Sequence, residues 1–231
     1  MRLPLRMRKL RAVSLPAPIL SVDQKRFWNE NGFLVLPGFF SNDETKNLRD
    51  FIETCWNERH SDDNPIVIDS KLDHVPIRKR LKDAEDSEKN SVYKLNDAFL
   101  ISGIVRNAAL DQRLTDVLEE LCGGSVCICN SLIFERGSQQ DLHVDTYYMP
   151  APQGSRLIVT SICLENVAPE AGPVAYVPKS HLIPPFRNSS GTTHARDKQE
   201  LDIANRYYQA QIAERGLPVE HFCGSEGDVL I

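Results

Sequence analysis

A mainly β chain with flanking helices is the fold class the sequence predicts, and three observations carry it. The amino-terminal half contains apolar residues at helical spacing behind clear capping signals. From Ser125 onward, short apolar runs alternate with turn residues, which suits an antiparallel sandwich or barrel. One helical segment, Lys198 to Arg215, interrupts that second half and ends at Gly216.

The elements follow in order. Ser21 to Gly32 reads as a short helix, with Ser21 as cap, Gln24 as its capping-box partner and Gly32 as terminator. Phe33 to Leu36 is a brief buried strand stopped by Pro37-Gly38. Ser41 and Glu44 form a second capping box, after which Leu48, Phe51, Ile52, Cys55 and Trp56 fall on one helical face as core residues. Residues 60–91 are charge-dense, with Arg78-Lys79-Arg80 followed by Asp83, Glu85, Asp86 and Glu88. They read as a solvated loop with short helical turns, the sharper alternative being a flap over an active site. Asn107 to Gly123 reads as one amphipathic helix, with Leu110, Leu114, Val117, Leu118 and Leu121 along one side. Strands are then expected within Val126–Phe134, Leu142–Tyr148, Leu157–Leu164, Pro173–Val177 and Val229–Ile231.

Composition narrows the function classes. The 231 residues are 41% apolar and 26% charged, with a net charge of -5, which argues against a general nucleic-acid binder. No run approaches the roughly 20 apolar residues of a membrane span. Six cysteines lack the spacing of a disulfide framework and read as reduced thiols, with Cys127 and Cys129 as small buried residues facing the same way on a strand. Residues 1–20 are basic and acid-free, and are expected to be a disordered extension to a single domain over 21–231. A cytoplasmic protein is the expectation. The alternatives are a mitochondrial presequence or a peroxisomal signal, which Arg2-Leu3 and Lys9-Leu10 approach except that Lys9 stands where His or Gln is expected.

The chemistry centres on Leu142-His143-Val144-Asp145-Thr146-Tyr147-Tyr148. On a strand, residues two apart share a face, so His143 and Asp145 would aim an imidazole nitrogen and a carboxylate at one point. That is two-thirds of a facial triad, which leaves metal positions open for other ligands. Taken alone the pair is a weak signal that occurs by chance, and more often describes a buried, hydrogen-bonded histidine beside an exposed aspartate.

Four landmarks in order raise the specificity: Gly32-Phe33-Leu34-Val35-Leu36-Pro37-Gly38-Phe39-Phe40, Asn130 to Phe134 followed by His143-x-Asp145, Gly172 to His181, and Gly227-Asp228. With them the chain resembles the phytanoyl-CoA dioxygenase family, whose fold is a double-stranded β-helix, a cupin-like jelly roll flanked by helices. The resemblance implies an Fe(II)- and 2-oxoglutarate-dependent dioxygenase hydroxylating an aliphatic carbon of a small organic or acyl substrate with O2, releasing succinate and carbon dioxide, with ascorbate as an accessory reductant. It places iron on His143 and Asp145, and puts Lys94 and Ser131 against 2-oxoglutarate. A lysine suits a carboxylate as a mobile point charge with three donors. Ile162 stands where some members have a tryptophan, and His181 belongs to a turn of the family pattern and not to the metal site.

The family's third iron ligand, a histidine, and its 2-oxoglutarate-binding arginine follow the Gly-Asp landmark. Both are expected beyond Ile231, so the jelly roll is expected to be incomplete at its carboxyl end and these 231 residues to be inactive alone. The competing reading is a non-catalytic jelly-roll relative that binds or scaffolds. An unrelated cupin-like metal protein is a third. His60, His74, His194 and His221 carry no motif and read as surface or core histidines. Substrate identity and oligomeric state are not encoded in any visible motif.

Overall fold

The computed structural model describes residues 18–62, 64–72, 75–149 and 157–231. The basic stretch from Arg2 to Arg11 and His74 lie outside the described residues.

The two capping boxes form as local chemistry dictates. In α1 (Val22–Asn31) the Ser21 hydroxyl accepts from the Gln24 amide and Gln24 Oε1 accepts from the Ser21 amide, and Gly32 closes the helix at φ 78°. In α2 (Asn42–Asn57) Ser41 and Glu44 make the same exchange. Its apolar face buries Leu48, Ile52, Cys55 and Trp56.

Between those helices β1 (Val35–Leu36) enters a three-stranded antiparallel sheet, with β9 (Val229–Leu230) at its centre and β6 (Ser161–Ile162) on the far side. The two ends of the described chain are thereby joined, Val35 opposite Leu230 and Leu36 opposite Val229. Gly227 makes the junction close. At φ 88° its carbonyl accepts from the Phe40 amide, and a Cβ there would fall 2.1 Å from the Phe40 carbonyl oxygen. Asp228 completes it, accepting from the Gly38 amide at 2.7 Å and the Ser225 amide at 2.9 Å.

The second sheet holds β2 (Val67–Leu72), β3 (Val75–Arg80), β4 (Val92–Asn96) and β5 (Leu132–Phe134), antiparallel in the order β3-β2-β4-β5. This corrects the solvated loop expected over 60–91. Ile66, Ile68 and Leu81 join Trp56, Tyr93 and Leu95 in a core cluster. The charges that suggested a loop are accommodated by alternation on β2 and β3 and by a neutralised buried carboxylate. Glu88, just inside α3 (Asp86–Lys89), is 0% exposed, accepts from the Ser70 hydroxyl at 2.6 Å and pairs with Lys79 at 2.5 Å.

Three further expectations are corrected. The single helix over 107–123 is two, α4 (Gly103–Ala109) and α5 (Gln112–Cys122). Asp111 breaks it by capping α5 through the Arg113 amide, which leaves Leu110 exposed while Leu114 and Val117 stay in the core. The strand over 126–134 is confined to β5, because its partner β4 ends where Asp97 takes φ 54°. Cys127 and Cys129 therefore lie outside any ladder and are exposed. The run 157–164 pairs only at Ser161–Ile162, the length that β9 offers.

The two-stranded β7 (Val174–Tyr176) and β8 (Glu220–Phe222) flank α6 (Lys198–Arg215), which Asp197 caps and Gly216 ends as expected. Helix outweighs strand among the described residues, so the architecture is mixed helix and antiparallel sheet and not mainly β. No helix among them is long and apolar enough to cross a membrane.

Candidate metal and oxo-acid site

His143 and Asp145 converge, although not by the route the spacing implied. The expected strand over 142–148 is absent. His143 lies in irregular chain and Asp145 opens a 3-10 turn, Asp145–Tyr147. The backbone is consumed locally: Tyr147 donates to the Val144 carbonyl, while Tyr148 and Met149 donate to the Asp145 carbonyl at 2.9 and 3.0 Å. The Val144 and Asp145 carbonyls and the amides of residues 147–149 are thereby taken by the turn and not by a ladder. The turn still brings Nε2 of His143 to 3.4 Å from Oδ1 of Asp145.

The ring has a fixed orientation. Nδ1 of His143 sits 2.8 Å from the Asp141 carbonyl. A carbonyl only accepts, so Nδ1 carries the hydrogen and Nε2 faces the carboxylate. Tyr148 packs edge-on against the ring, with centroids 5.5 Å apart. Asp145 beside the imidazole holds its pKa above the ordinary histidine value. Burial works against that shift, and so does the nearby Lys94 ammonium. A nitrogen lone pair and a carboxylate facing each other need a cation between them, either a proton or a metal ion. The donor set, one imidazole nitrogen and one carboxylate oxygen, matches what Fe(II) accepts.

Lys94 lies on β4 between Tyr93 and Leu95, which are buried in the core cluster. Alternation puts Lys94 on the opposite face of the sheet, in a cross-strand row with Asp69 on β2, Arg78 on β3 and Phe134 on β5. Its ammonium is 3.7 Å from Oδ2 of Asp69. One Arg78 nitrogen bridges both Asp69 oxygens at 3.0 Å.

Ser131 sits where the β4–β5 ladder ends. Its amide donates to Oδ1 of Asp97 at 3.0 Å and its carbonyl accepts from the Asp97 amide at 2.8 Å. Its hydroxyl is buried without a hydrogen-bond partner among the described residues, which is an uncommon condition for such a group.

His181 stays apart. Its Nε2 lies 3.0 Å from the Asn29 carbonyl and its ring covers Gly32. Among the other histidines, Nδ1 of His60 meets the Lys82 carbonyl, His221 is on exposed β8, and Nδ1 of His194 is buried without a partner among the described residues. No group of three or more His, Cys, Asp or Glu side chains converges for a metal among the described residues. A cleft of about 330 Å³ bordered by Phe186, Asn188, Arg196 and Glu200 includes none of the four predicted site residues. Sequence reading missed Asp69, Arg78 and the Asp141 carbonyl. No motif in the sequence marks Asp69 or Arg78, whose place opposite Lys94 follows from the strand register.

The class these features define is a helix-flanked antiparallel fold that presents a histidine–aspartate pair. Comparison with known proteins takes the assignment further. The sequence model of phytanoyl-CoA dioxygenase (PhyH) matches residues 28–231, and the chain belongs to that family. Peroxisomal phytanoyl-CoA dioxygenase of Rattus norvegicus is 21% identical over 223 residues, covering 92% of this chain and 61% of the rat protein. The Homo sapiens enzyme is 20% identical over 223 residues, covering 92% of this chain and 61% of its own length. The chain thus spans about three-fifths of these relatives.

Solved structures that share the fold include SnoK and EctD. SnoK from nogalamycin biosynthesis, a non-heme alpha-ketoglutarate-dependent carbocyclase, superposes with a TM-score of 0.63 at 20% identity, covering 93% of this chain and 76% of SnoK. EctD from S. alaskensis with bound Fe gives 0.64 at 19% identity, covering 94% and 69%.

Proposed function

We propose that this chain forms the iron-binding part of an Fe(II)- and 2-oxoglutarate-dependent dioxygenase that hydroxylates an aliphatic carbon of a small organic or acyl substrate, within a jelly roll. The observation that carries the reading is the convergence of His143 Nε2 and Asp145 Oδ1 at 3.4 Å in a chain of the PhyH family. Family relatives and fold neighbours that act with 2-oxoglutarate or hold iron support it.

In this reading His143 and Asp145 hold Fe(II). The Asp141 carbonyl fixes the imidazole with Nε2 forward, and outer partners of this kind orient ligating histidines. The 3-10 turn fixes the carboxylate, because its own carbonyl is held by two amides. Bound iron supplies the oxygen chemistry, and the protein supplies position. Lys94 offers a positive charge to a carboxylate of 2-oxoglutarate. Ser131 offers it an unspent hydroxyl. Ascorbate would serve to keep the metal reduced.

Anaerobic titration of the purified protein with Fe(II) and 2-oxoglutarate tests this. The expected result is the weak visible band of an iron–oxo-acid chelate, absent in His143→Ala and in Asp145→Ala. Aerobic succinate release then separates an oxygenase from a relative that only binds. The absence of any band in the wild-type protein would count against the iron site itself.

A further inference from the structure

Among the described residues, Lys94 carries charge but spends no hydrogen bond. Its ionic contact among the described residues, Asp69 Oδ2 at 3.7 Å, is longer than a hydrogen bond, while Arg78 holds both Asp69 oxygens at 3.0 Å. The three groups stand directly opposite one another on adjacent strands, Arg78 against Asp69 and Asp69 against Lys94. Asp69 and Lys94 side chains are 23% and 26% exposed, whereas Arg78 is 65% exposed, so the outer cation meets solvent and the inner pair is partly screened from it.

We propose that Arg78 and Asp69 are positioning residues that set the availability of Lys94 for the oxo acid. This rests on the role proposed for Lys94 above. Asp69 tethers the ammonium to one side of the sheet by charge alone. Arg78 engages the Asp69 oxygens and so prevents them from closing on Lys94. The lysine therefore keeps three N–H donors for an incoming carboxylate. Without Arg78, a carboxylate one cross-strand position away would close on Lys94 and compete with the co-substrate for the same donors.

The arrangement makes a prediction that reverses sign, which a merely structural ion-pair row does not. The measurement is calorimetric titration of 2-oxoglutarate into Mn(II)-loaded protein, with melting temperatures recorded for each variant. Arg78→Gln is expected to raise Kd about threefold, the scale of one partly exposed ion pair. Adding Asp69→Asn to Arg78→Gln is expected to lower Kd again, since the competitor is gone. In a Lys94→Met background neither change should alter Kd. An unchanged Kd in Arg78→Gln, a double variant weaker than Arg78→Gln alone, or effects that persist in Lys94→Met would overturn the proposal. If Lys94→Met itself binds 2-oxoglutarate like wild type, the Lys94 role fails and this inference falls with it. If Lys94→Met weakens binding while the Arg78 and Asp69 changes do nothing, only this inference fails.

Discussion

Nε2 of His143 lies 3.4 Å from Oδ1 of Asp145, and the pairing has a direction. The other ring nitrogen is committed to the Asp141 carbonyl, so the ring cannot turn away without losing that bond. His143→Ala or Asp145→Ala should each weaken Fe(II) or Mn(II) binding at least about tenfold, since even losing an outer partner of a ligand costs that much. Competition against a metal-binding dye reads it directly. Equal affinity in wild type and both variants would mean that the metal, if any, binds elsewhere.

His181 gives the contrasting case. Its ring packs on Gly32, where an added Cβ would sit 2.1 Å from Nδ1, and Gly32 is held at φ 78°. Gly32→Ala should therefore cost more than about 1 kcal/mol, through both the left-handed backbone and the collision. His181→Ala should cost about 1 kcal/mol for the lost bond to Asn29. Both losses are read by thermal or urea unfolding. The His181 variant should retain wild-type metal affinity, and a large loss there would make His181 a ligand after all.

Most of what the sequence disclosed was local or anchored at glycine. The Ser21–Gln24 and Ser41–Glu44 boxes need only four residues to specify, and they formed. Gly227-Asp228 reads as the start of a core strand, and β9 follows it at once. The failures involve partners distant in the chain. Nothing near residues 67–80 announces that β4 will pair with β2, so a run rich in Arg78, Lys79 and Arg80 looks like a solvated loop. The segment 142–148 has the apolar and β-branched residues of a strand, but turn hydrogen bonds at Asp145 claim its backbone first. The proximity of His143 and Asp145 was legible by spacing, and it is present although irregular chain leading into a 3-10 turn stands where a strand was expected. Asp69 and Arg78 were not legible, since their meaning depends on register.

Glu88 should impose acid sensitivity. Burial pushes its pKa up, but the Lys79 ammonium, the Ser70 hydroxyl and the Glu85 amide outweigh that and hold it below its ordinary 4.5. A group depressed in the folded state contributes stability above its unfolded pKa, and that contribution is lost as pH falls through the folded value. Unfolding free energy should thus decline below about pH 4.5 more steeply in wild type than in Glu88→Gln. At neutral pH, Glu88→Gln should cost about 1–3 kcal/mol, because the carboxylate that accepts from Ser70 and pairs with the Lys79 ammonium is replaced by a neutral amide. Parallel urea titrations across pH check both statements. Superimposable pH profiles would show that Glu88 is not the titrating group.

Ser131 separates stability from binding. Its hydroxyl is buried and unpartnered among the described residues, while its backbone is pinned to Asp97 from both directions. Removing a buried hydroxyl that makes no hydrogen bond is close to neutral for folding, since nothing is left unpaired. Ser131→Ala should therefore melt within about 0.5 kcal/mol of wild type or slightly above it. If the hydroxyl donates to a carboxylate or keto oxygen of 2-oxoglutarate, the same substitution should weaken that ligand about tenfold, the value of one hydrogen bond to a charged group. Titration of 2-oxoglutarate into the Mn(II)-loaded variant, beside its melting curve, gives the two readouts. Weaker binding with unchanged stability places the hydroxyl against the oxo acid. Lower stability with unchanged binding would instead mean that Ser131 supports the Asp97 turn and has no part in the site.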